Sequence, residues 1–361
     1  MRLYAMLALA GAALAGAALA GAAPPPKSEL QRNADRLIAT TEFPGIVTLV
    51  EQDGKRAVVA SGLADVAARR RMRPNDRFWI GSTTKAFVAT AVMQLVAEDR
   101  LGLDDTVEQL LPGRIREGQR IRLRNLLNHS SGIPEYMRLD PWATAVSRNP
   151  RVVIPAHRLV SSAGRLPLDF EPGTRASYSN TNYLVLAEII ERETGRPIVR
   201  VLQARIFGPL GLQATGFVRG KRAVGGKRVR GYDVSGPRPV DVSLHRLGGP
   251  WADGALVSNA RDLAVFFGAL LRGKLVPPRL VALMTTPTKV PGSHGEGLGL
   301  YKLPSPCGRW YYGHAGGTPG YVTWAAGSRD GRKLVVLAAN GISDSALQAL
   351  GKYLDGLLCR R

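Results

Sequence analysis

Cysteine is scarce in this chain of 361 residues: only Cys307 and Cys359 occur. Two cysteines exclude a small disulfide scaffold, and the absence of any before Cys307 excludes a lipid anchor on an amino-terminal cysteine. Histidine is nearly as sparse. The five histidines are scattered with no H-E-x-x-H or other ligand spacing, so no metal and no other cofactor is expected. Acidic residues are short relative to basic ones, 28 against 49, giving a formal charge of +21. Such an excess suggests nucleic acid in a cytosolic protein, but here arginines are spread along the chain. The one dense cluster, Arg219 to Gly231, lacks any aromatic side chain to stack on bases, and reads as a solvated loop. No nucleic-acid partner is expected.

What the chain has begins with MRLYAMLALAGAALAGAALAGAAPPP: a positive charge at Arg2, an apolar run from Leu3 to Leu19, small residues at Ala20 and Ala22, then prolines. That order reads as a secretory signal peptide over residues 1–23. A run of Ala and Gly is a poor membrane anchor, because insertion favours Leu, Ile and Phe. Export to a secreted or periplasmic location is therefore expected, where the positive charge meets anionic envelope surfaces with weak attraction.

Apolar residues make up 45% of the chain, enough for a large core. Gly45 to Gly62 alternates apolar and polar residues about Asp53-Gly54, which predicts a tight hairpin. Tyr321 to Asn340 repeats the pattern about Asp330-Gly331. Helical periodicity runs from Thr83 to Asp99, with Val88, Ala91, Val92, Leu95 and Val96 on one face, then from Asn182 to Thr194, Arg261 to Arg272 and Ser345 to Leu357. Strands at both ends with helices between predict an α/β (α+β) fold: an antiparallel sheet built from both termini, flanked by helices, with a mostly helical insertion. In residue terms, 24–81 and 252–361 form the sheet region and 82–251 the helical region of one catalytic domain.

The stretch IGSTTKAF places Ser82 and Lys85 three residues apart where extended chain gives way to helix. Positions i and i+3 share a helix face, so the Lys85 ammonium can reach the Ser82 hydroxyl. A serine needs such a neighbour to become a nucleophile, and a helix start supplies free N–H groups and positive dipole beside it. The plainer alternative is an N-cap, and an S-x-x-K occurs by chance about once in a chain this long.

Two further triplets stand downstream: Tyr178-Ser179-Asn180, just before a helix, and His314-Ala315-Gly316, in the last strand pattern. With S-x-x-K, Y-x-N and H-x-G in this order, the chain resembles the serine penicillin-recognising family of class C β-lactamases, secreted D-alanyl-D-alanine carboxypeptidases and related esterases and D-aminopeptidases. The likeness extends through LLNHSSGIPEY (Leu126 to Tyr136), IFGPLGL (Ile206 to Leu212) and GALVSNARDLAVF (Gly254 to Phe266). An S-D-N motif, which marks a neighbouring branch, is missing.

The resemblance implies a β-lactamase-like fold and an acyl-enzyme on Ser82, with Lys85 and Tyr178 moving its proton. Asn180 would orient Lys85 and donate to the substrate amide, and the N–H groups of Ser82 and Gly317 would hold the oxyanion. Trp251, Gly316 and Lys302 would line the substrate cleft, with His129 structural. It also implies a Cys307–Cys359 disulfide, as the secreted carboxypeptidases carry, and a monomer acting on a D-alanyl peptide, β-lactam or small ester. Two departures weaken the anchor for a substrate carboxylate: Ala315 replaces the usual threonine, and Tyr301 and Lys302 stand where an arginine is usual. His314, where many relatives have lysine, would titrate from about 6.5 downward beside Lys85. It would then be neutral at pH 7 as a partner in the Ser82 and Tyr178 network, and acylation would fall as pH drops from 8 to 5.

Overall fold

The computed structural model describes residues 27–217, 229–245 and 252–359. The segment expected to be a signal peptide, most of the basic cluster (218–228) and Trp251 lie outside the described residues.

Helix α1 (Lys27–Ala39) leads into strands β1 (Gly45–Gln52), β2 (Lys55–Asp65) and β3 (Arg70–Arg71). The carboxy-terminal half supplies β4 (Tyr301–Pro304), β5 (Trp310–Thr318), β6 (Tyr321–Gly327) and β7 (Lys333–Ala339). Together they form one antiparallel sheet in the order β3-β2-β1-β7-β6-β5-β4, so the first long strand pairs with the last. The expected sheet from both termini is present.

Both faces of that sheet are covered, so its central strands β6 and β7 are buried at every position, and β1 at all but Gln52, rather than alternately. Along β7, Val335, Leu337 and Ala339 enter one core with Leu30 and Leu37 of α1 and Leu347 and Leu354 of α5 (Asp344–Cys359). Leu334, Val336 and Ala338 enter the other core, with α2 (Thr84–Ala97), α3 (Thr181–Thr194) and α4 (Ala260–Leu271). Short helices at Leu123–Leu127, Ala156–Gly164 and Ile198–Leu202 pack on α3, and a more exposed one at Asp140–Arg148 packs on the turn Tyr136–Arg138.

Two local expectations are modified. At the first hairpin, Asp53 and Gly54 both take positive φ, 49° and 79°, as a two-residue turn with a right-handed twist requires. The second is wider. Its strands end at Gly327 and restart at Lys333, and the Asp330 carboxylate closes the loop by accepting from Ser328 Oγ at 2.6 Å and the Arg332 N–H at 3.0 Å. Helix α2 shows more than one apolar face: Thr84 to Met93 and Leu95 are all buried, because sheet and helical region both pack on it.

Candidate active site

Ser82 sits in a tight turn, Gly81–Thr83, that runs directly into α2. Phe78–Trp79 just before it pairs with Leu256–Ser258, fixing where the turn begins. Gly81 has φ +50°, and a Cβ there would lie 2.9 Å from the Gly317 nitrogen, so glycine lets the turn press against β5. Gly316 serves the same approach, since its Cβ would strike the Ile80 carbonyl.

Ser82 does not cap the helix. Neither this turn nor α2 has a side-chain cap bond at its N-cap, and the Ser82 Oγ is engaged from two other sides. Tyr178 donates its hydroxyl to Oγ at 2.7 Å and Lys85 donates from Nζ at 3.2 Å. Lys85 also donates to Asn180 Oδ1 at 2.7 Å and to the Asp253 carbonyl at 2.6 Å, so three acceptors meet the three donors of an ammonium. Lys85 is fully buried, and that desolvation pulls its pKa from 10.5 to about 8 against the opposing pull of Asp253 and Glu135.

The Tyr178 to Asn180 triplet is held by the segment from His129 to Met137. His129, in a left-handed backbone conformation with φ 60°, stacks its ring 4.4 Å from that of Tyr178 and accepts the Ser179 N–H at 3.2 Å. Burial drives its pKa well below the ordinary value, so it is neutral. The buried Glu135 carboxylate accepts the N–H groups of Asn180 and, at 3.0 Å, Met137. Burial raises its pKa above the usual carboxylate value. Asp253 accepts the Tyr136 hydroxyl at 2.9 Å. Motif reading missed Glu135, which lies in the quoted Leu126 to Tyr136 stretch, and Asp253, one residue before the Gly254 to Phe266 stretch, because a buried acid in a Gly- and Pro-rich loop has the sequence of an exposed one.

On β5, Thr318 and Tyr321 close the two-residue turn to β6. Alternation in an antiparallel pair then turns the Gly317 N–H away from β6, toward the edge that β4 leaves uncovered beyond Gly313. That N–H and the amide of Ser82 can face one oxygen. His314 is buried and its Nδ1 meets the Ala315 carbonyl at 2.5 Å, which assigns the proton to Nδ1 and leaves Nε2 as the acceptor. Burial first, and Lys85 second, lower its pKa to about 3. Neutrality at pH 7 follows, but the expected titration between pH 8 and 5 does not: in that interval the ring is already neutral.

Lys302 points elsewhere. Its Nζ lies 4.1 Å from the centre of the Trp310 ring, at the far end of the β4–β5 pair. Tyr301 sets its ring edge-on to His314 at 5.0 Å. Cys307 and Cys359 are bonded, with Cα atoms 5.5 Å apart, tying the β4–β5 turn to the end of α5. Among the described residues, no group of three His, Cys, Asp or Glu side chains could hold a metal ion.

A hydroxyl between a phenol and a buried ammonium, facing two free amides, is equipped for acyl transfer. The family model for beta-lactamase matches residues 30–357. The chain belongs to the beta-lactamase family. Members of this family are serine hydrolases, and the similarity extends to several activities. The chain is 27% identical over 355 residues to penicillin-binding protein 4 of Amycolatopsis lactamdurans, covering 91% of this chain and 89% of that protein. It is 29% identical over 333 residues to a D-aminopeptidase of Cereibacter sphaeroides, covering 86% of this chain but only 59% of that longer protein. Among solved structures, a D-stereospecific amidohydrolase from a Streptomyces species superposes with a TM-score of 0.80 at 32% identity, covering 93% and 99% of the two chains. A D-amino acid amidase of Ochrobactrum anthropi in complex with L-phenylalanine amide gives 0.80 at 26%, covering 92% and 97%.

Proposed function

We propose that this beta-lactamase-family chain is an exported acyl-serine hydrolase of D-aminoacyl amides and short peptides that begin with a D residue. One observation carries the choice of substrate: the places where a carboxylate anchor is expected offer none. His314 is neutral, Ala315 turns its methyl group toward the α1–α5 core, Tyr301 packs on His314 and Lys302 lies over Trp310. Glu135 instead puts a buried carboxylate beside the network, where it favours a substrate ammonium over a carboxylate. Similarity to D-specific amidases supports the stereochemical part.

In this reading Lys85, once neutral, takes the Ser82 proton as Oγ attacks the amide carbonyl. The ammonium is already lowered to about 8, whereas a phenol starts near 10, so the amine is the easier base to free. The oxyanion accepts from Ser82 and Gly317, each such donor being worth on the order of 3 kcal/mol. Tyr178, bonded to Oγ, passes a proton to the departing amine. Water then attacks the ester with the roles reversed, releasing the acid and restoring Ser82.

A second reading, a penicillin-recognising D-alanyl-D-alanine carboxypeptidase, is favoured by similarity to penicillin-binding protein 4 over nearly the whole chain. The deciding experiment compares hydrolysis of D-alaninamide, L-alaninamide and D-alanyl-D-alanine with covalent labelling by a fluorescent penicillin. Turnover of the D-amide well above the other two supports the amidase. Stoichiometric labelling without amide turnover transfers the assignment to the second reading. Export is checked by amino-terminal sequencing of secreted protein, expected to begin near Ala23, and a monomer by light scattering.

A further inference from the structure

We propose that Met137 is an oxidation site that governs substrate binding: as a sulfoxide, it occupies the Asn180 amide that a substrate carbonyl needs. This rests on the reading of Asn180 as a substrate donor. The Lys85 ammonium can only donate, so Asn180 must turn Oδ1 toward it and Nδ2 away. That Nδ2 meets the Met137 sulfur at 3.3 Å. A thioether is a weak acceptor, so in the reduced protein it is a partner that a substrate carbonyl displaces easily. A sulfoxide oxygen is polar and a far stronger acceptor in the same place.

The chain also directs oxidation to this position. The other described methionines, Met72, Met93 and Met284, are at most 6% exposed, and both cysteines are held in the disulfide, whereas Met137 is only half-buried at the cleft. The reaction needs a peroxide: the sulfur gains one oxygen atom and is oxidised by two electrons, and hydrogen peroxide is reduced to water. Ser82, Lys85 and Tyr178 are untouched by it.

The test treats the purified protein with hydrogen peroxide and maps oxygen addition by peptide mass, with Met137 expected to react first. The side-chain amide resonances of Asn180, assigned through Asn180→Asp, should shift on treatment in the wild type and stay in place in Met137→Leu. With D-alaninamide, kcat/KM should fall about tenfold or more, mainly through KM, as a competing strong acceptor predicts. Fluorophosphonate labelling of Ser82, which makes no use of Asn180 as donor, should keep its rate, and methionine sulfoxide reductases should restore kcat/KM. Oxidised Met137 with unmoved Asn180 resonances overturns the proposal, as does equal peroxide sensitivity in Met137→Leu. A protein that never hydrolyses D-alaninamide defeats the amidase reading, while the resonance measurement still decides the oxidation site.

Discussion

The two faces of the seven-stranded sheet bury very different things. Against α1 and α5 lie leucines, valines and Trp324 with a few satisfied polar groups: Thr48 bonds the Tyr353 hydroxyl at 3.0 Å, and Tyr311 and Lys333, the latter with its pKa lowered by burial to about 8, donate to the Leu358 carbonyl at 2.7 and 2.8 Å. Against α2 and α3 the same sheet covers Lys85, His129, Glu135, Asp253 and His314, all less than one-tenth exposed. For Lys85, His129, Glu135 and His314 the largest cause of the pKa shift is burial itself, so burial moves the proton affinity of each away from its value in water. One face is built for stability. The other gives some up to shift the proton affinities that hydrolysis uses.

The sharpest test separates the faces by a single atom. Ser82→Ala removes the hydroxyl between Tyr178 and Lys85 and should lower kcat by a factor on the order of a million, as loss of a serine nucleophile does elsewhere. The thermal midpoint should hold or rise. Intact-mass spectrometry with a fluorophosphonate should show no adduct, and an adduct on any residue of the variant would remove Ser82 from its role.

The opposite face should respond in the opposite way. Replacing Cys307 and Cys359 with alanine opens a link across 52 residues, a loop that on the chain-entropy argument contributes about 4 kcal/mol. Denaturant unfolding should show that loss, while kcat at 25 °C stays near wild type. A matching drop in kcat would mean that the two faces are coupled through β5. Thiol titration of the unreduced, denatured wild type should read zero.

Legibility followed the same division. Alternation about Asp53-Gly54 and the helical period of the last segment located the sheet and α5, because those patterns record which side of an element is covered. The ordered triplets located Ser82, Lys85, Tyr178 and Asn180. What stayed hidden depends on three-dimensional neighbours. Thr90 looks polar but bonds its hydroxyl to the Ala86 carbonyl at 2.7 Å and is buried, so α2 reads as half-exposed when it is central. Glu135 has the sequence setting of a turn acid, and Lys302 that of a cleft cation until Trp310 is seen beside it.

Next in size is the pH dependence. With Lys85 near 8 and its neutral form acting as base, kcat/KM for an amide should climb about tenfold per unit below pH 8 and level off above it. A profile that falls above pH 8 would instead make the charged Lys85 with a Tyr178 phenolate the working pair. Stability has its own limb. His314 binds a proton near 6.5 when unfolded and only near 3 when folded, so the unfolded chain holds more protons between those values and stability drops as pH falls through them. His129 acts in the same direction. His314→Asn should flatten part of that acid limb in thermal unfolding between pH 4 and 6.5.

The smallest expected effect tests the specificity argument at one side chain. Ala315 lies half-buried on β5, between His314 and Gly316, with its methyl group at the margin of the α1–α5 core. Threonine there would place its hydroxyl on the α1–α5 side of the sheet, the face away from Ser82. Ala315→Thr should therefore leave kcat/KM for D-alanyl-D-alanine and for D-alaninamide within about twofold of wild type; a gain of about fivefold for the dipeptide alone, the worth of one neutral hydrogen bond of about 1 kcal/mol, would show that the hydroxyl reaches the leaving-group end. His314 remains neutral in the variant, so no fixed charge is added and a larger gain is not expected. The wild type should separate the dipeptide from its methyl ester only weakly, since Lys302 stays over Trp310. A wild-type preference of about a hundredfold for the free carboxylate corresponds to nearly 3 kcal/mol, more than one neutral contact provides. That result would place a cation at the leaving-group end and defeat the neutral-anchor account of substrate choice.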